Sequence, residues 1–189
     1  MSAQSDLTGT VLTSKRVLLR AFVFADAPDV FADASLTISR FMTWEPPPSL
    51  EAFAEIWPEW LRQMAAGSDL HLVIREASTS EFMGIAGLHG IGISEPTVGI
   101  WIKEAAHRLG YGRESIASIL EWACAHVGAE ALLYPVVEQN HPSRRLAESL
   151  KGVVVGTREL RKPGGVLFNQ VVYRIPAPEE HRLKAVTNG

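Results

Sequence analysis

Between Gly99 and Val127 the chain reads GIWIKEAAHRLGYGRESIASILEWACAHV, a strand-like stretch that runs through a glycine turn into a helical one. Val98, Ile100 and Ile102 alternate with Gly99, Trp101 and Lys103, the period-two pattern of a β-strand. From about Gly112 onward, Ile116, Ile119, Leu120, Ala123 and Val127 recur at helical spacing, which predicts an amphipathic helix. Gly110 and Gly112 remove side chains where the backbone enters that helix, so a ligand can approach the main chain. The first amides of a helix lack internal partners and carry the positive end of its dipole. An anion is the expected guest, with Arg108 and Arg113 on either side to reinforce it. The pattern is neither a P-loop, which needs a glycine followed by Lys and Ser or Thr, nor a dinucleotide fingerprint, because Ser115 stands at the third glycine position.

A chain of 189 residues, 47% apolar and 21% charged, is long enough to bury one core without disulfides or metals. The single cysteine, Cys124, cannot form an internal disulfide and lies on the apolar side of the helix, which suits a reducing compartment. No signal-peptide or membrane-spanning run is present, so a cytoplasmic setting is expected. With a formal net charge of −3 and scattered basic residues, general nucleic-acid binding is not expected. The six histidines show no paired spacing with cysteine or glutamate that would predict a metal site.

In chain order, residues 1–10 are expected to be a flexible terminus, 11–175 one domain, and 176–189 a polar tail. Val11 to Phe22 reads as one strand, and Asp26 as the cap of a short helix. The run FMTWEPPPS cannot continue a helix or a central strand and predicts a stiff connection that shapes a cleft. Ser49 caps a helix through Met64 that Pro58 should kink or break; its aromatic stripe reads as core, with Trp57 or Trp60 able to line a pocket. Strands are expected over 70–74 and 82–93, then the central strand and its helix. A further strand contains Pro135, which cannot donate to a ladder. Asn140, His141 and Pro142 start another helix, and a hairpin around Pro163, Gly164 and Gly165 closes the chain.

The turn HRLGYGR resembles motif A of the GCN5-related N-acetyltransferases (GNATs), [QR]-x-x-G-x-[GA], with His107 where that family has Gln or Arg. LTSKRVLLR, GIWIKEAAHRLGYGRES and NHPSRRLAESL are similar to the RimJ/RimL branch. The resemblance implies an α+β GNAT fold, a mixed but mostly antiparallel sheet of about seven strands flanked by helices, with two splayed central parallel strands. It implies acetyl-CoA as cosubstrate and, as acceptor, a primary amine on a protein N-terminus or a small molecule. Main-chain groups of Ile100 and Ile102 would meet the pantetheine arm. The turn from His107 would hold the pyrophosphate through Arg108, Leu109, Gly110, Tyr111, Gly112 and Arg113, and Asn140 would lie beside the arm. Ser143 would stand near the thioester sulfur as general acid, since Ala147 occupies the position where many relatives place a tyrosine.

Direct attack on a thioester requires the ammonium to lose its proton to a positioned base. Glu138 is the first candidate, with His89 and Glu45 behind it. Three readings stand at this point: an N-acetyltransferase, a non-catalytic acyl-CoA-binding or regulatory module, and a nucleotide-binding enzyme. Association into a homodimer is left open.

Overall fold

The structure is a computed structural model that describes residues 5–162 and 165–179. Expectations for residues 1–4, for Pro163 and Gly164 in the last hairpin, and for the tail from 180 lie outside the described residues. The elements are β1 (Val11–Thr13), β2 (Val17–Ala21), α1 (Ala27–Asp33), α2 (Leu36–Ser39), α3 (Leu50–Ala54), α4 (Trp57–Ala66), β3 (Asp69–Glu76), β4 (Phe82–His89), β5 (Thr97–Ile102), α5 (Tyr111–Val127), β6 (Ala131–Val137), α6 (His141–Ser149), β7 (Val153–Arg161) and β8 (Leu167–Pro176). They form one mixed α+β fold. Its eight strands lie in the order β1-β2-β3-β4-β5-β6-β8-β7, antiparallel throughout except where β5 meets β6.

The strand expected over Val11 to Phe22 is folded back on itself as β1 and β2, which raises the expected seven strands to eight. Ser14 donates its amide to the Val17 carbonyl to close the turn. Leu7, in the segment expected to be flexible, is instead buried, and its amide bonds the Met64 carbonyl, so the fold begins before residue 11. Pro58 breaks the early helix outright: it sits in the first turn of α4, where its missing N–H costs no hydrogen bond. Ser49 caps α3 by accepting the Ala52 amide. Asp26 precedes α1, but its carboxylate makes no cap there; it accepts bidentate bonds from Arg20, a bond from Arg75 and the Val23 amide. Burial alone would raise this carboxyl, and the two guanidinium groups outweigh it and hold it low.

Strand alternation assigns the two faces of the sheet. Leu70, Leu72 and Ile74 of β3, with Leu88 and Ala86 of β4 and Val98, Ile100 and Ile102 of β5, share the face against α5. Asp69, His71, Ile85, Gly87, His89, Gly99 and Trp101 share the other, under α1, α3, α4 and the proline loop. Among the described residues no helix is long and apolar enough to cross a membrane.

Candidate active site

β5 and β6 run parallel but share one registered pair, Thr97 with Leu133. Leu133 donates its amide to the Pro96 carbonyl, and the next donor on that edge of β6 would be residue 135. Pro135 has none, so the ladder stops after its first rung and the strands part. Just past β5, Lys103 donates its amide to Met83 of β4, which by alternation turns the backbone groups of Ile100 and Ile102 toward the gap. The Ile102 carbonyl accepts a 2.7 Å bond from His107 Nε2, so this histidine, expected in the pyrophosphate turn, reaches back to the strand.

Past the turn Glu104–Ala106, Arg108 takes φ 65° and Gly110, the N-cap of α5, takes φ 87°. Left-handed residues of this kind let successive amides converge on an anion. None of the main-chain N–H groups from Arg108 to Arg113 donates to a partner among the described residues. The Arg108 and Arg113 side chains are exposed beside them. A Cβ on Gly112 would lie 3.0 Å from Leu146, so its bareness also lets α6 close on α5. The turn is anchored from afar by Glu114, which accepts from Ser14 Oγ, the Arg16 amide and the Arg16 guanidinium. Partial burial would raise the Glu114 carboxyl, and these bonds hold it low instead. Arg16 also donates to the Leu109 carbonyl and lies 5.1 Å from the Tyr111 ring centroid. Sequence reading missed this clamp, whose only local trace is a Ser-Lys-Arg turn.

On α6, Asn140 accepts the Ser143 amide as N-cap at 3.4 Å. The Tyr134 phenol of β6 lies beside Ser143; burial pushes it up, and the neighbouring serine partly offsets that. Tyr134 was not singled out by sequence; it is buried, as is the small Ala147 of α6. Glu138 is exposed at the end of β6 and is not among the residues that line the cavity described next.

That cavity, of about 360 Å³, opens on the opposite face of the sheet. Phe31, Trp44, Phe53, Trp60 and Trp101 give it aromatic walls, and Met42 to Glu45 and Pro47 of the proline loop form one side. Its floor includes Gly87 and Gly99, cross-strand partners, and beside them Ile100. Space over Gly99 is open, whereas a Cβ on Gly87 would lie 2.6 Å from His89 Nε2. His89 Nδ1 bonds Asp69 Oδ1 at 2.8 Å. His71 stacks on Trp60 at 4.9 Å, donates Nε2–H to Gln63 Oε1 at 2.8 Å, and is lowered to about 4 by burial and by the neighbouring His89. His89 and Glu45 therefore meet in the cavity, and Glu138 does not join them. Among the described residues no cluster of three or more His, Cys, Asp or Glu could hold a metal ion.

A family model described as an acetyltransferase (GNAT) domain matches residues 16–153. No curated protein matches the chain in sequence. Among solved structures, the chain is similar to RimJ from Mycobacterium smegmatis in complex with CoA-disulfide, with 19% identity over 90% of this chain and 89% of that one and a TM-score of 0.75. It is similar also to spermidine N-acetyltransferase from Vibrio cholerae in complex with CoA and spermine, with 17% identity, 86% and 97% coverage and a TM-score of 0.72. A GNAT-family acetyltransferase from Bacillus anthracis gives 15%, 89% and 99%, and 0.75.

Proposed function

The chain belongs to the GNAT acetyltransferase family, and from that membership we propose that it transfers the acetyl group of acetyl-CoA to a primary amine held in the aromatic cavity. The observation that carries this reading is the alignment of three features across one sheet. Unpartnered amides lie from Arg108 to Arg113, a gap opens between β5 and β6, and a cavity whose floor includes Ile100 lies behind it.

Those amides, with the Arg108 and Arg113 side chains, suit a diphosphate. The Ile100 and Ile102 backbones and the Asn140 side chain would line the pantetheine arm, with the His107 ring yielding or sharing the Ile102 carbonyl. When bound, acetyl-CoA supplies a thioester whose carbonyl carbon is open to an amine. An N–H on the open edge of β5 can stabilise the developing oxyanion. Ser143, backed by Tyr134, can donate to the departing sulfur. The similarity to RimJ and to a spermidine acetyltransferase supports an amine acceptor without choosing between a protein N-terminus and a small molecule.

CoA release from acetyl-CoA, followed with a panel of peptides and small primary amines, tests the proposal. Turnover is expected with at least one amine, and Ser143→Ala should lower it by about 10²-fold, the lower end for loss of a general acid. The absence of a tyrosine at Ala147 favours one other reading, an acyl-CoA-binding module, which predicts tight binding and no turnover on any amine.

A further inference from the structure

Among the described residues three titratable groups line the cavity, His71, His89 and Glu45, and only one of them is both oriented and free to carry a proton. On β3, His71 is buried, stacked flat on Trp60, and spends its Nε2–H on Gln63. From the proline loop, Glu45 is exposed and has no hydrogen bond that fixes it among the described residues. His89 differs from both. Its Nδ1 is engaged by Asp69 of the neighbouring strand, directly opposite in register, which sets Nδ1–H as donor and leaves Nε2 with its lone pair. That nitrogen lies over Gly87, in the space a side chain would fill, and Gly87 faces Gly99 across the cavity floor. The ring is 48% exposed, so a proton taken up in the cavity can leave to water.

We infer that His89, oriented by Asp69, is the general base that deprotonates the acceptor amine. The inference rests on the reading of the cavity as the acceptor site. An ammonium entering between Trp44 and Trp101 gives a proton to Nε2, directly or through one water. The neutral amine forms the C–N bond to the acetyl carbon, the C–S bond breaks, and the thiolate takes a proton from Ser143, which is reprotonated by the second proton that the nitrogen loses as it becomes the amide. His89 then returns its proton to solvent, and no oxidant or further reactant is needed. Asp69 is a positioning residue: it touches His89 and holds the tautomer. Aromatic walls around this base fit an amine carried on a flat or apolar body better than a polycation, since among the described residues Glu45 is the one carboxylate in the lining and Asp69 is held by His89.

The test is the pH profile of kcat/KM, with acetyl-CoA and phenethylamine, tryptamine, putrescine and a free-N-terminal peptide as acceptors, for wild type, His89→Gln, His89→Ala and Asp69→Asn. In the two His89 variants the rate at neutral pH should fall about 10²-fold or more and recover as pH rises toward the acceptor's own pKa of roughly 8–10, because the amine then deprotonates unaided. Asp69→Asn should give a smaller loss with the profile displaced. The thermal shift on acetyl-CoA should be the same in all four proteins. Turnover by the wild type with an unchanged profile in both His89 variants overturns this inference alone. No wild-type turnover with any acceptor, while acetyl-CoA still binds, overturns the acetyl-transfer reading and this inference with it.

Discussion

His71 makes a titration that the unfolded chain does not share. In the fold its proton is disfavoured down to about 4, first by burial and then by the neighbouring His89, whereas an unfolded histidine titrates near 6.5. A depressed native pKa means that the unfolded state takes up the proton first as pH falls. Stability is therefore full above about pH 6.5 and drains away between there and about pH 4, by about 3 kcal/mol for a shift of this size. His71→Phe keeps the stack on Trp60 and removes the titration. Its urea midpoint should change less between pH 6.5 and 4 than that of the wild type. Equal slopes in the two proteins would mean that His71 is protonated in the fold.

Among the elements, the break between β5 and β6 has one covalent cause that a substitution can undo. Pro135→Val restores an N–H on the edge facing the Val98 carbonyl, and the ladder can gain a rung there. The added bond is worth about 1 kcal/mol, and the loss of proline's restraint on the unfolded chain costs about 0.4–1 kcal/mol, so stability should hardly change. The measurable effect is on binding: with the gap narrowed, calorimetry should show CoA affinity about tenfold weaker, or about 1.4 kcal/mol. An unchanged affinity would show that the gap does not depend on the missing donor. This proline, the glycine turn and the Ser49 cap were legible because each acts on its own backbone within a few residues. What was not legible depends on register or on distant partners. The β1–β2 turn is pinned by Glu114, about a hundred residues away, and Asp69 meets His89 only once β3 is aligned on β4. Glu138, by contrast, was chosen for its place at a strand end, which says nothing about which face its side chain would serve.

At the scale of the whole molecule, the sheet is a partition with one opening. The face under α5 and α6 carries the open amides and the Ser143–Tyr134 pair, and the face under α1, α3 and α4 carries the cavity with His89. A cosubstrate and an acceptor can therefore bind on separate sides and meet at Ile100, where the gap passes through. Such a ligand would bridge α5, β5, β6 and α6, and bind the folded chain only. At about 100 times its dissociation constant it should stabilise the fold by about 2.7 kcal/mol. For a chain of this length that is a rise in melting temperature of roughly 5–11 °C. Acetyl-CoA and CoA should produce it in a thermal-shift scan. ATP shares CoA's adenine nucleotide and NAD its diphosphate, but neither has an arm to fill the gap, so both should give a small fraction of the shift. A shift from ATP or NAD as large as that from CoA would assign the open amides to a nucleotide-binding enzyme and leave the gap between β5 and β6 without its proposed occupant.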